Sequence, residues 1–295
     1  MTLKQPAQDP REQGLQPPFP DQPQSPPGLE QDMLPRPDYG AQTYRGSGRL
    51  TGKAAIITGG DSGIGRAVAL AYAREGADIL IAYLDEEPDA QETVRIVEQA
   101  GRKAVAIPGD IGDERHAQQI VEQALQAFGK LDILVNNAAF QMTHESIEEL
   151  STEEFERTFR TNVFAMFYLC KAALPKMQPG GAIINTTSIQ AYQPSSSLLA
   201  YASTKGAIVT FTKALAEEAL KQGVRVNAVA PGPVWTPLIP STMPEQQVRQ
   251  FGKQTPAGRP AQPAELAPVY VFLASAEASY IAGEVIGVTG GKPLA

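Results

Sequence analysis

From Leu50 onward the chain repeats one pattern: a short apolar run, a turn, then an amphipathic stretch with helical period. The apolar runs fall at 54–58, 78–83, 103–108, 132–136, 181–187, 224–230 and 284–288. Helical patterns lie near 64–75, 88–101, 113–129, 152–178, 201–222 and 264–276. Strands that are apolar throughout need cover on both faces, and strands separated by helices pair in parallel. Right-handed crossovers then give an α/β, doubly wound sheet that binds ligands beyond the carboxyl ends of its strands. Residues 49–295 form one such domain, with no internal repeat.

Residues 1–48 differ in kind. Ten prolines (6, 10, 17, 18, 20, 23, 26, 27, 35 and 37) are interleaved there with glutamines. Proline at that density forbids helix and central strand, so extended or disordered chain is expected. Residues 1–27 read as a tail. Residues 28–50 carry Leu29, Met33, Leu34, Tyr39 and Tyr44 and read as an arm laid on another subunit.

The first strand runs directly into Gly59, Gly60, Gly63 and Gly65. Such a cluster costs backbone entropy, and a turn that brings bare backbone close to a ligand accounts for it. Gly59 permits the tight turn, and Gly63 and Gly65 remove side chains where phosphate and strand approach. The helix that follows offers unpaired N–H groups and partial positive charge, which suits a pyrophosphate. Glycine turns also arise for packing. The strand–turn–helix context is what favours a nucleotide site here.

Further polar residues fall where the sheet delivers its carboxyl ends. "DILVNNAA" brings Asn136 and Asn137, "INTTSIQAY" brings Ser188, "RTNVFAMF" brings Asn162, and "YASTKGA" brings Tyr201 and Lys205. Tyr201 and Lys205 are four apart, so phenol and ammonium share one helical face. A free phenol, with pKa near ~10, is a poor base at neutral pH. A neighbouring cation favours the phenolate, so Tyr201 could exchange a proton with an alcohol or carbonyl oxygen that Ser188 holds. Each residue has a plainer reading: buried aromatic, solvated lysine, strand-end cap, satisfied core amide. The group taken together favours chemistry.

The motifs "TGGDSGIG", "NNAA", "TN", Ser188, "YASTK" and "APGPVWT" resemble the short-chain dehydrogenase/reductase family across residues 50–295, although Ala139 stands where that family more often has glycine. The resemblance implies a seven-stranded parallel Rossmann sheet, NAD(H) or NADP(H), and a homotetramer. By that similarity Tyr201 is the general acid/base and Lys205 tunes it and binds the nicotinamide ribose. Ser188 polarises the substrate and Asn162 supports a water relay. Gly59, Ser62, Gly63, Ile64 and Gly65 would surround the phosphates. Asp110 and Ile111 would meet adenine, Asn137 the adjoining ribose, and Val234 and Thr236 the nicotinamide amide. The arm, "SIQAYQPS" and the stretch from "APGPVWTPLIP" to "KQTP" are similar to a bacterial branch described as glucose/ribitol-dehydrogenase-like enzymes or general aldehyde reductases.

At the end of the second strand, where family members that bind the adenine ribose carry an acid, this chain has Tyr83 followed by Leu84. No arginine or lysine stands there to grip a 2′-phosphate. Asp85, Glu86 and Glu87 follow, and like charge disfavours NADP(H), so the residues lean to NAD(H). The expected substrate is a small carbonyl or alcohol, with Phe140, Gln141, Gln190, Tyr192 and Trp235 lining its pocket. A nucleotide sensor of the same fold is the alternative, and it would need no proton donor.

Composition narrows the remaining classes. The net charge of −7 argues against nucleic acid, and no apolar run approaches the ~18 residues of a spanning helix. No signal-peptide pattern is seen, which points to the cytoplasm. The single cysteine, Cys170, reads as a buried small hydrophobe, and His116 and His144 stand alone without metal-ligand spacing.

Overall fold

The apolar runs become parallel strands, the five inner ones buried, in the computed structural model, which describes residues 9–294. They are β1 (Ala54–Thr58), β2 (Asp78–Tyr83), β3 (Ala104–Pro108), β4 (Ile133–Asn136), β5 (Ala182–Thr186), β6 (Arg225–Pro231) and β7 (Val285–Val288). All seven lie in one parallel sheet, in the order β3-β2-β1-β4-β5-β6-β7. Alternation along each strand sends neighbours to opposite faces. Ile57, Ile79 and Ile81 join one core with α1 (Gly63–Arg74), α2 (Glu87–Gln99) and α9 (Pro263–Ala274). Ile56, Leu80, Leu134 and Ile183 join the other with α3 (Glu114–Phe128), α5 (Ala165–Ala173) and α6 (Leu199–Leu220). The direction of strand order reverses between β1 and β4, which opens a crevice at their carboxyl ends.

The long helix expected at 152–178 is instead α4 (Thr152–Phe159), a π turn at Arg160–Phe164, and α5, ending in a 3-10 turn at Leu174–Lys176. The π turn carries Asn162, and Pro175 sits in the 3-10 turn. Two short helices, α7 (Leu238–Thr242) and α8 (Glu245–Arg249), fill the connection after β6.

The arm lies on its own chain from residue 9 onward; residues 1–8 of the expected tail lie outside the described residues. Phe19 stacks on Trp235 with ring centroids 3.9 Å apart, and Met33 is buried in the same cluster. The Trp235 Nε1–H donates to Pro35 O at 2.8 Å. Proline and glutamine rule out regular structure, yet the arm's carbonyls are taken by side chains of the domain. Arg74, for instance, donates to the carbonyls of Gly40, Ala41 and Tyr44.

The arm enters the domain at Glu75, whose side chain is fully buried. Its carboxylate accepts from the Tyr44 hydroxyl, the Arg49 guanidinium, and the amides of Ser47 and Arg49. Burial alone pushes this carboxyl up, but the hydrogen bonds from Arg49 and Tyr44 outweigh it and hold the group at about 2. A folded-state value below the ordinary 4.5 gives stability that is complete above 4.5 and lost as pH falls toward about 2. The contribution is roughly 3 kcal/mol. Glu75→Gln should therefore be less stable at neutral pH and show a flatter decline in acid. Urea unfolding across that range measures it; parallel pH curves for the two proteins would sink the assignment.

Candidate active site

The turn between β1 and α1 forms one wall of the crevice. Gly63 has φ +51, and a Cβ there would lie 2.8 Å from Thr236 Cγ2. A Cβ on Gly65 would lie 1.8 Å from Gly59 O, so bare backbone is required for the turn to close on itself. Asn137 braces the turn from β4, donating from its amide to the Thr58 and Gly59 carbonyls at 3.1 and 3.2 Å. The Asn137 and Ala138 amides in turn donate to Thr58 Oγ1.

Across the crevice, β5 ends at Thr186 and hands the chain to Ser188, which is 6% exposed. The Ser188 hydroxyl accepts from the Gln190 amide at 3.2 Å and lies near enough to the Tyr201 phenol to pull its pKa down. Tyr201 and Lys205 sit one turn apart on α6, with Lys205 Nζ 5.2 Å from the Tyr201 ring centroid. Lys205 is buried and donates to Thr186 O at 2.8 Å. Burial pushes the phenol up to about 12, against the pull of Ser188, and pushes the ammonium down to about 7. Burial thus acts against the expected depression of the phenol by Lys205. Both groups are desolvated, and desolvation favours each one's neutral form.

A cleft of about 520 Å³ joins the two walls. Ser188, Tyr201, Lys205, Gly59, Ser62, Gly63, Ile64, Tyr83, Leu84, Asp110, Ile111, Asn137, Val234 and Thr236 all line it. Gly65 and Asn162 do not. Gly65 is consumed by packing inside the turn. Asn162 accepts from the Phe140 amide at 2.7 Å and donates to Phe140 O and to Thr204 Oγ1. It ties the segment after β4 to α6. Trp235 is fully buried under Phe19 and outside the cleft, so its expected place as a pocket wall is corrected. Tyr192 is likewise outside the lining, whereas Phe140, Gln141 and Gln190 belong to it.

A family model described as enoyl-(acyl carrier protein) reductase matches residues 59–292. The chain belongs to the short-chain dehydrogenase/reductase family. A Bacillus subtilis (strain 168) protein named "Uncharacterized oxidoreductase YhdF" is 58% identical over 266 residues, covering 90% of this chain and 92% of that protein. The "Glucose and ribitol dehydrogenase" of Daucus carota is 46% identical over 280 residues, 92% of this chain and 96% of that one. Among solved structures, a short-chain dehydrogenase from Burkholderia cenocepacia J2315 in complex with NADP superposes with TM-score 0.77 at 32% identity, covering 82% of this chain and 98% of that one. This short-chain dehydrogenase/reductase is an oxidoreductase acting on CH–OH groups.

The residues of its cleft suit a dinucleotide such as the NADP of the Burkholderia neighbour. The glycine turn brings bare backbone at Gly59 and Gly63 to the lining, and the Lys205 ammonium makes one hydrogen bond, to Thr186 O, among the described residues. Sequence reasoning missed several parts of the lining, among them Glu86, Arg157 and Arg160. Pro26 and Pro27 reach the cleft from the arm, and Asp61 reaches it from within the glycine turn. Asp61 was visible as the only charge in "TGGDSGIG". Nothing local marked the two prolines. The described residues contain no group of three or more His, Cys, Asp or Glu able to hold a metal ion, and no helix long and apolar enough to cross a membrane.

Proposed function

We propose that this enzyme interconverts a small alcohol or polyol and its aldehyde or ketone, with Tyr201 as general acid/base. The observation that carries the reading is the convergence of Ser188, Tyr201 and Lys205 in one desolvated cleft with the glycine turn. A bound nicotinamide dinucleotide would supply or accept the hydride. In reduction, the Ser188 hydroxyl holds the carbonyl oxygen and the Tyr201 phenol delivers a proton to it; oxidation reverses the transfer. Pushed up to about 12, the phenol is protonated at neutral pH, the form that reduction starts from, and it is a weaker acid than a free phenol. Lys205 is assigned the nicotinamide ribose, Val234 and Thr236 the carboxamide, and Asp110 and Ile111 the adenine. Both amide hydrogens of Asn162 are committed, so we assign it positioning rather than proton transfer. Phe140, Gln141 and Gln190 mix an apolar wall with amides, which suits a hydroxylated carbonyl, the class that the carrot relative's name denotes.

Tyr201→Phe should keep nucleotide binding and lose turnover by roughly a hundredfold or more. Lys205→Ala should weaken both. Consumption of reduced cofactor with a panel of aldehydes and sugars measures the effect. A Tyr201→Phe protein retaining more than about a tenth of kcat would refute the role.

Among the nicotinamides, the reading favours NAD(H). Asp61 and Glu86 line the cleft with Tyr83 and Leu84 and are nearly buried, while the arginines of the lining, Arg157 and Arg160, come from α4 and the π turn, with Arg160 beside Gly112. Desolvated carboxylates accept hydrogen bonds from a ribose hydroxyl and repel a 2′-phosphate. Fluorescence titration should show NADH binding more tightly than NADPH by about tenfold, the effect of one unfavourable charge contact. Asp61→Asn should narrow the gap. Tighter NADPH binding, like the NADP in the Burkholderia neighbour, would overturn the lean.

We also propose a homotetramer built through the helical segment that bears Asn162. Phe164 and Phe167 stand 42% and 43% exposed there, unusual for large apolar side chains on one helix face. Light scattering should give four times the subunit mass of 31.5 kDa. A monomeric mass would exclude the assembly.

A further inference from the structure

We propose that the amino-terminal arm is part of the cofactor site, with Glu30 as the positioning residue that fixes the glycine turn. The inference rests on the reading of this cleft as a dinucleotide site. Glu30 lies in a short 3-10 turn of the arm and is 2% exposed. Its Oε2 accepts from the Gly63 amide at 2.6 Å, the first N–H of α1. Its Oε1 accepts from Arg66 Nη1 at 2.5 Å. The backbone on either side is held as firmly. The Glu30 and Gln31 amides donate to Asp89 at 2.5 and 3.3 Å, and Asp89 accepts from Arg66 Nη2.

The same Arg66 grips the turn from beneath. Its Nε donates to Asp61 O at 2.8 Å, and Thr93 Oγ1 donates to the same carbonyl. The loop expected to face the pyrophosphate is therefore pinned at both ends, Asp61 by Arg66 and Gly63 by the arm. Just before Glu30, Pro26 and Pro27 line the cleft itself. Pro27 O accepts from Ser241 on α7, and the Gln24 amide donates to Pro240 O. The arm thus spans the cleft from the glycine turn to the connection after β6. It adds a second link between two walls that already meet at Gly63 and Thr236.

Two physical effects oppose each other when Glu30 is removed. Loss of a carboxylate near the phosphates would tighten binding by simple Coulomb attraction. Against that, the Gly63 amide and a buried guanidinium lose their acceptor, and a desolvated donor left unpaired drives the turn to rearrange. Glu30 contributes little net charge because burial pushes its carboxyl up to about 7 and Arg66 lies against it. Rearrangement should therefore win.

The test is the full-length chain, titrated with NADH and NADPH by fluorescence and assayed at varied cofactor. Glu30→Ala should raise Kd and the cofactor KM about tenfold, the loss of one charge-assisted hydrogen bond, with kcat at saturation changed less than about twofold. Glu30→Gln, which keeps an oxygen for one of the two donors, should fall between wild type and Glu30→Ala. It carries the test if the alanine variant does not fold. A general loss of structure would lower kcat and melting temperature together and would not give this graded KM effect. Folded variants with unchanged or tighter nucleotide binding overturn the proposal while leaving the wild-type reading intact. Wild type that binds neither nucleotide overturns that reading, and the proposal with it.

Discussion

The Arg66 guanidinium is 4% exposed and has a partner on every side: Glu30, Asp61 O, Thr93 and Asp89. A buried cation is tolerable only when its donors are satisfied and its charge is met. Meeting that condition forces four pieces of chain to one point. They are the arm, the glycine turn, the first turn of α1 and the amino end of α2. The geometry of the nucleotide wall follows from this demand as much as from the glycines, which permit the turn without choosing among its conformations. Removing one member would leave its neighbours charged or unpaired.

The opposite wall depends on a different constraint. Parallel strands deliver every carboxyl end to one edge, so Asn137, Ser188 and the chain after β6 arrive together without specific steering. Steering is needed for α6, whose Tyr201 must meet Ser188. Asn162 supplies it by joining Thr204 to the Phe140 backbone. To reach both, the helix bearing Asn162 opens into a π turn, a local departure from regular geometry often associated with functional sites. The active site thus stands on two polar knots, one centred on a buried cation and one on a buried amide.

What could be read from the residues was whatever acts locally. Continuous apolar runs marked the strands to within a residue or two, and the glycine, "NNAA" and "YASTK" motifs marked both walls, because each follows the strand or opens the helix that positions it. The arm was not legible in the same way. Its prolines and glutamines report the lack of regular structure and are silent about contacts. Its anchors lie far off in sequence, Glu30 with Gly63 and Arg66, Phe19 with Trp235. Trp235 reads as a pocket wall only when Phe19 is unknown. The π turn was hidden because a helix of Arg160–Phe164 and one extra backbone residue have the same apolar pattern.

Desolvation then links the two ends of the cleft. At the catalytic end it raises the Tyr201 phenol and lowers the Lys205 ammonium; at the ribose end it raises Asp61 to about 7 and raises Glu86 as well. Every one of these shifts favours a neutral group, so the cleft carries less charge at neutral pH than its residues suggest. Burial favours the protonated forms of Asp61 and Glu86, which lessens the repulsion an anionic ligand would meet, and the charge of such a ligand would favour the ammonium form of Lys205. Water exclusion around the cofactor is therefore not a background condition. It sets the charge that the cleft presents, at the Tyr201–Lys205 end and at the Asp61–Glu86 end alike.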